Sequence, residues 1–237
     1  MTSSATRRQL WAELGIPADY AQHRLPLQCE ARRLASIGCA ADDGKILQLT
    51  PRAAAAWRRM KAAAALDGVT LLPLSAFRSV ARQTTVIRRK LAAGEKIQDI
   101  LKLIAAPGCS EHHTGRALDL GLPGVTELDE RFAKTASFRW LATHAATYGF
   151  HLSYPRKNSG GIGYEPWHWC WHSPRRDGVI GPPQFASRLP TAPRNLPRAD
   201  RRRAPARITS PRDPTVSSAP ARMARAVQPT RQPTPPC

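Results

Sequence analysis

At 237 residues the chain has room for one catalytic domain plus an appendage, and its formal charge of +19 points to polyanions among the surfaces it can meet. Five cysteines at this length exclude a dense disulfide framework. No run of about eighteen apolar residues supplies a membrane span. Reduced thiols fit cytoplasmic synthesis, and Leu10 to Ile16, interrupted by Glu13, lacks the apolar run of a classical export signal.

In chain order, a short N-terminal helix comes first, within a helical extension over 1–48. Thr50-Pro51 reads as an N-cap with proline in the first turn, opening an alanine-rich helix to Leu66 that stops at Asp67-Gly68. Val69 to Leu74 is short, apolar and bounded by turn residues, as a buried strand should be. Ser79 to Ala93 and Glu95 to Ile104 read as helices parted near Gly94. Ala117 to Leu122 is a strand, and Asp129 to Tyr148 one helix ending at Gly149. Phe150 to Tyr154 and Tyr164 to Trp171 complete the strands. The mixture predicts an α+β fold, a small and mainly antiparallel sheet flanked by helices, over 49–176. Residues 177–237 form a Pro/Arg-rich tail. Between 181 and 237 stand thirteen prolines, and eleven arginines against two aspartates, with few large hydrophobes. Such a segment cannot bury enough apolar surface to offset its ordering entropy. It is expected to be disordered and attracted to polyanions.

Two segments carry the chemistry. Ser110-Glu111-His112-His113-Thr114-Gly115-Arg116-Ala117-Leu118-Asp119 is followed some fifty residues on by Glu165-Pro166-Trp167-His168. His112, Asp119 and His168 give two nitrogens and one oxygen, a set that suits zinc over magnesium or calcium and leaves a position for water. Glu165 is the base for that water. His112 and Asp119 are too far apart for one helix face, so a loop-to-strand corner at Gly115 must join them. Alternation sends Asp119 away from Leu118 and Leu120, toward a cleft. Glu165 and His168 would diverge on a regular strand, and Pro166 predicts the kink that reunites them. Trp167, Trp169 and Trp171 are expected to dry Glu165 and raise its pKa. His113 is a decoy that should point elsewhere, and His23, His144, His151 and His172 default to structural or surface roles. A rival set, Cys109 and His112 with His168 and Cys170, would make a closed structural zinc site but would leave Asp119 and Glu165 idle.

These residues resemble the LAS group of zinc metallopeptidases, most closely the VanY-type D-alanyl-D-alanine carboxypeptidases. The pattern Ser-x-His-x-x-Gly-x-Ala-x-Asp is met by Ser110, His112, Gly115, Ala117 and Asp119, and Glu-x-Trp-His by Glu165, Trp167 and His168. Ala106-Pro107-Gly108, Tyr148-Gly149-Phe150, Ser153-Tyr154-Pro155 and Ser75-Ala76-Phe77-Arg78-Ser79 with Gln83 add to the match. The resemblance implies that His112, Asp119 and His168 bind zinc and that Glu165 is the catalytic base. It implies that Arg78 grips a substrate carboxylate, with Ser110 and Gln83 assisting. A guanidinium fork suits that task. The implied activity is hydrolysis of peptidoglycan stem peptides, as a D,D-carboxypeptidase, an L,D-carboxypeptidase or an L-Ala–D-Glu endopeptidase. A non-catalytic polyanion-binding protein is the alternative, and Glu165 argues against it. The chain departs from the pattern after Trp169, where Cys170 and Trp171 replace the usual Arg-Tyr, and at Phe77, where the family has tyrosine.

Overall fold

The computed structural model describes residues 4–40, 44–121 and 128–173. The expected tail over 177–237 lies outside the described residues. Among the described residues there are six α-helices: α1 (Ser4–Glu13), α2 (Tyr20–His23), α3 (Pro51–Leu66), α4 (Val80–Ala92), α5 (Ile97–Leu103) and α6 (Ala136–His144). Six strands accompany them: β1 (Ala35–Cys39), β2 (Ile46–Leu49), β3 (Leu72–Ser75), β4 (Ala117–Gly121), β5 (Phe150–Leu152) and β6 (His168–Trp171). The α+β architecture read from the sequence is the one observed.

β1 and β2 form an antiparallel hairpin. The other four strands make an antiparallel sheet in the order β3-β4-β6-β5. Alternation gives that sheet two unlike faces. Leu118, Leu120, Phe150, Leu152, Trp169 and Trp171 enter a core with Trp57 and Met60 of α3 and Trp140 and Leu141 of α6. The opposite register positions hold Ala117, Asp119, His151, His168 and Cys170: Asp119 pairs with His168, and Cys170 lies between Ala117 and His151. One face anchors the sheet and the other carries polar chemistry.

A second apolar cluster joins Trp11, Leu14, Ile16, Tyr20 and Leu25 to Ile87, Ile100, Leu101 and Ala106. The Trp11 indole N–H donates to the Pro107 carbonyl at 2.9 Å. Residues read as an N-terminal extension thus pack into the same compact unit as the four-stranded sheet. They contribute a hairpin as well as helix, because β1 and β2 cover α3.

Two local expectations are corrected. The single helix over Asp129–Tyr148 is broken at Thr135, whose extended backbone and hydroxyl cap α6 by accepting the Phe138 N–H. Short 3-10 turns flank α6 on both sides. The strand expected from Tyr164 begins only at His168, since Pro166 forces a turn in which the His168 N–H donates to the Glu165 carbonyl. Among the described residues Cys29, Cys109 and Cys170 are free thiols.

Candidate metal centre and active site

Ser110 begins the site. Its hydroxyl accepts the His112 N–H at 3.3 Å, capping a 3-10 turn over Glu111–Thr114 that aims His112 inward. Gly115 ends the turn at φ +63. A Cβ there would meet Leu34 at 3.0 Å and both Ala31 and the Thr50 backbone at 3.2 Å, so the corner needs glycine for conformation and for space. β4 then delivers Asp119 opposite His168 of β6.

The His112 Nδ1–H donates to the Ala76 carbonyl at 2.5 Å, which leaves Nε2 facing Asp119 Oδ2 at 3.1 Å. His168 Nδ1 lies 2.9 Å from Asp119 Oδ1, and the two imidazoles stand edge to face at 4.9 Å. One ligand atom from each of His112, Asp119 and His168 falls within 4.8 Å of the others, and all three residues are buried. Buried, convergent nitrogen and carboxylate donors of this kind fit zinc. Glu165 comes to 3.8 Å of His168 Nδ1 on the same side.

The electrostatics follow from burial and pairing. Burial opposes ionisation of Asp119, but the two imidazoles outweigh it and hold the carboxyl well below the usual range. Burial also works against a charged His168, yet Asp119 and Glu111 push it up to about 10. Burial lowers His112, against the pull of Asp119. Glu165 is pushed up to about 8, chiefly by burial.

A cavity of about 580 Å³ opens over these residues, lined by Arg78, Gln83, Ser110, Tyr154, Glu165 and Trp167 among others. Arg78 follows β3 and lies 3.7 Å from Asp119, while its other terminal nitrogen donates to Gln83 Oε1 at 3.0 Å. Gln83 is locked in turn by donating to the Ala105 carbonyl. All seven residues singled out in the sequence therefore line one pocket. His113 turns away: its Nδ1–H donates to the Arg78 carbonyl at 2.6 Å, and its Nε2 accepts the Gly108 N–H. Its role is to brace the loop that carries Arg78.

One rival set and one expectation fail. Cys109 sits in the second apolar cluster, with burial pushing its thiol up to about 12, and it belongs to neither group of converging metal donors among the described residues. The closed Cys2His2 set is not assembled. Trp169 and Trp171 face the main core, so only Trp167 shares the pocket with Glu165. Two residues escaped sequence reasoning. Glu111 Oε2 accepts from the Ser153 hydroxyl at 2.6 Å and meets His168 Nε2 at 3.0 Å, fixing the ring from behind. Tyr154 packs its ring 4.9 Å from that of His168. The signals were adjacency to His112 and the Ser153-Tyr154-Pro155 motif.

A two-faced antiparallel sheet that gathers two imidazoles, a carboxylate ligand and a separate raised carboxylate in one cleft defines a metallohydrolase-type centre. The family model described as VanY, D-alanyl-D-alanine carboxypeptidase, matches residues 46–174, and the chain belongs to that family. It is 38% identical over 121 residues to YodJ of Bacillus subtilis, covering 49% of this chain and 43% of YodJ. It is 39% identical over 72 residues to VanXYC of Enterococcus gallinarum, a bifunctional D-Ala-D-Ala dipeptidase and carboxypeptidase, covering 28% of this chain and 38% of that protein. The chain thus spans less than half the length of these curated relatives. Among solved structures, the LdcB LD-carboxypeptidase superposes with a TM-score of 0.55 at 30% identity, over 62% of this chain and 72% of LdcB. Among the described residues no helix is long and apolar enough to cross a membrane.

Proposed function

We propose that the chain is a zinc-dependent carboxypeptidase that removes a C-terminal D-amino acid from peptidoglycan stem peptides, with D-Ala-D-Ala ends as the first choice. The observation that carries this reading is the placing of Arg78 beside the three converging donors, with Glu165 in the same cleft. A free α-carboxylate gripped by a guanidinium fork would set the preceding peptide bond over the metal centre. His112 Nε2, Asp119 and His168 Nδ1 would hold the ion. Bound zinc supplies a polarised carbonyl and a water of lowered pKa. Glu165 takes the proton of the attacking water and returns it to the leaving amine as the C–N bond breaks. Ser110 and Gln83 keep the cap and Arg78 in place. An L,D-carboxypeptidase is the second reading, supported by the likeness to LdcB.

Mass spectrometry of defined muropeptides incubated with zinc-loaded protein tests both, with Glu165→Ala as control. Loss of one terminal D-Ala from a pentapeptide is expected. Trimming only of tetrapeptides transfers the assignment to the L,D class, and an internal cut overturns both. Arg78→Ala should lower kcat/KM on free-carboxylate substrates by about 10- to 150-fold, the value of a charged hydrogen bond. Unchanged kcat/KM removes Arg78 from the role.

A further inference from the structure

The last strand carries more donors than the first metal centre uses. His168 and Cys170 share the polar face of the sheet, and His172, one residue beyond β6, continues the alternation of His-Trp-Cys-Trp-His. One ligand atom from each of Glu111, Cys170 and His172 lies within 4.8 Å of the other two. This second cluster is separated from the first by the His168 ring, whose Nδ1 faces Asp119 and whose Nε2 faces Glu111.

Independent observations point to a cation there. His151 and His172 each hold a buried Nε2 atom without a hydrogen-bond partner, and their rings stand 5.6 Å apart. Unpaired buried nitrogens are rare and costly, and a metal bond is one way to satisfy them. His151 is paired with Cys170 across the β5–β6 register, so it stands beside the cluster. Across β4 from Cys170 the partner is Ala117, which fills little of the space. Glu111 already serves Ser153 and His168 through Oε2, while the Cys170 thiol donates a long contact of 4.0 Å to the Trp171 carbonyl. The Glu111 side chain retains 14% exposure and His172 is half-buried, which gives an ion a way in.

We propose that Glu111, Cys170 and His172, with His151 beside them, form a second metal site for a thiophilic divalent cation such as zinc. A thiolate with imidazole selects zinc or cobalt over magnesium and calcium. Ligands around tetrahedral zinc are separated by roughly 3–4 Å, so rotation of these side chains closes the set. The ion replaces the thiol proton, which leaves to solvent, and it fixes Glu111 and through it the orientation of His168.

Cobalt separates the two centres, because only this one contains sulfur. Full-length protein is stripped with chelator, reloaded with cobalt(II) under reducing conditions and desalted. Metal content and the near-ultraviolet thiolate-to-cobalt charge-transfer band are then read together. Two equivalents and a clear band are expected. Cys170→Ser should lose the band and one equivalent, and His172→Ala should weaken both. His112→Ala should lose one equivalent and keep the band. A single equivalent without a band in wild type overturns the proposal, and so does a band that survives Cys170→Ser. Failure of the first centre shows differently, as a cobalt content that His112→Ala leaves unchanged.

Discussion

Glu165 and Glu111 are two carboxylates against one imidazole, and their surroundings drive them apart. Burial raises Glu165 to about 8. For Glu111 burial is opposed and outweighed by hydrogen bonds from His168 and Ser153, which bring it down to about 2. Around neutral pH Glu111 is therefore a fixed anion that orients, and Glu165 is a group able to carry a proton to and fro. The two substitutions should fail in different ways. Glu165→Gln keeps the donor set intact, so turnover should fall by between about 10² and 10⁴-fold while zinc in the first centre stays bound. Steady-state kinetics beside metal analysis checks this, and lost zinc would mean that Glu165 serves the ion. Glu111→Gln removes the anion behind His168 Nε2, and zinc affinity should weaken by about 10- to 100-fold. Competition with a chelator measures it.

At the scale of elements, the corner that joins the 3-10 turn over Glu111–Thr114 to β4 decides whether His112 and Asp119 meet. Gly115→Ala puts a Cβ into a left-handed residue and against Leu34, Ala31 and the Thr50 N–H, which donates to the Gly115 carbonyl. The backbone term alone costs about 1–2 kcal/mol. The variant should melt several degrees lower and bind zinc more weakly than wild type in the same assay. A melt and an affinity both unchanged would show that the corner tolerates a side chain. This corner was legible in the sequence because seven residues, one glycine and an alternating apolar run leave few ways to bring a histidine and an aspartate together. The kink at Pro166 was legible for the same reason. The hairpin of β1 and β2 was not, since strands of five and four residues show too little periodicity to stand out. Nor was the break at Thr135, where a hydroxyl prefers capping to continuing a helix, a choice that tertiary packing decides. On β6, His168 was legible as a ligand, but the grouping of Cys170 and His172 with Glu111 was not, since it depends on the register across the sheet.

For the molecule as a whole, the division of the sheet into an apolar and a titratable face makes folding sensitive to acid. His151 faces the polar side, and burial, helped by repulsion from His172, lowers its pKa to about 4. The unfolded chain binds this proton near pH 6.5, so between about 6.5 and 4 the unfolded state holds more protons than the folded one. Stability from this group is complete above pH 6.5 and is lost progressively as pH falls toward 4. His151 is only partly buried, so solvent screening limits the effect to on the order of 1 kcal/mol, or about 2–4 °C in a domain of this size. Other groups titrate in the same range, and the comparison with a variant isolates this one. Metal-free wild type and His151→Gln should be melted at pH 7 and pH 5. The variant keeps a polar side chain at the position but has nothing to protonate, so its melting temperature should drop less between the two pH values. An equal drop would show that His151 stays accessible to protons in the fold and that the sheet's polar face does not set the acid limit.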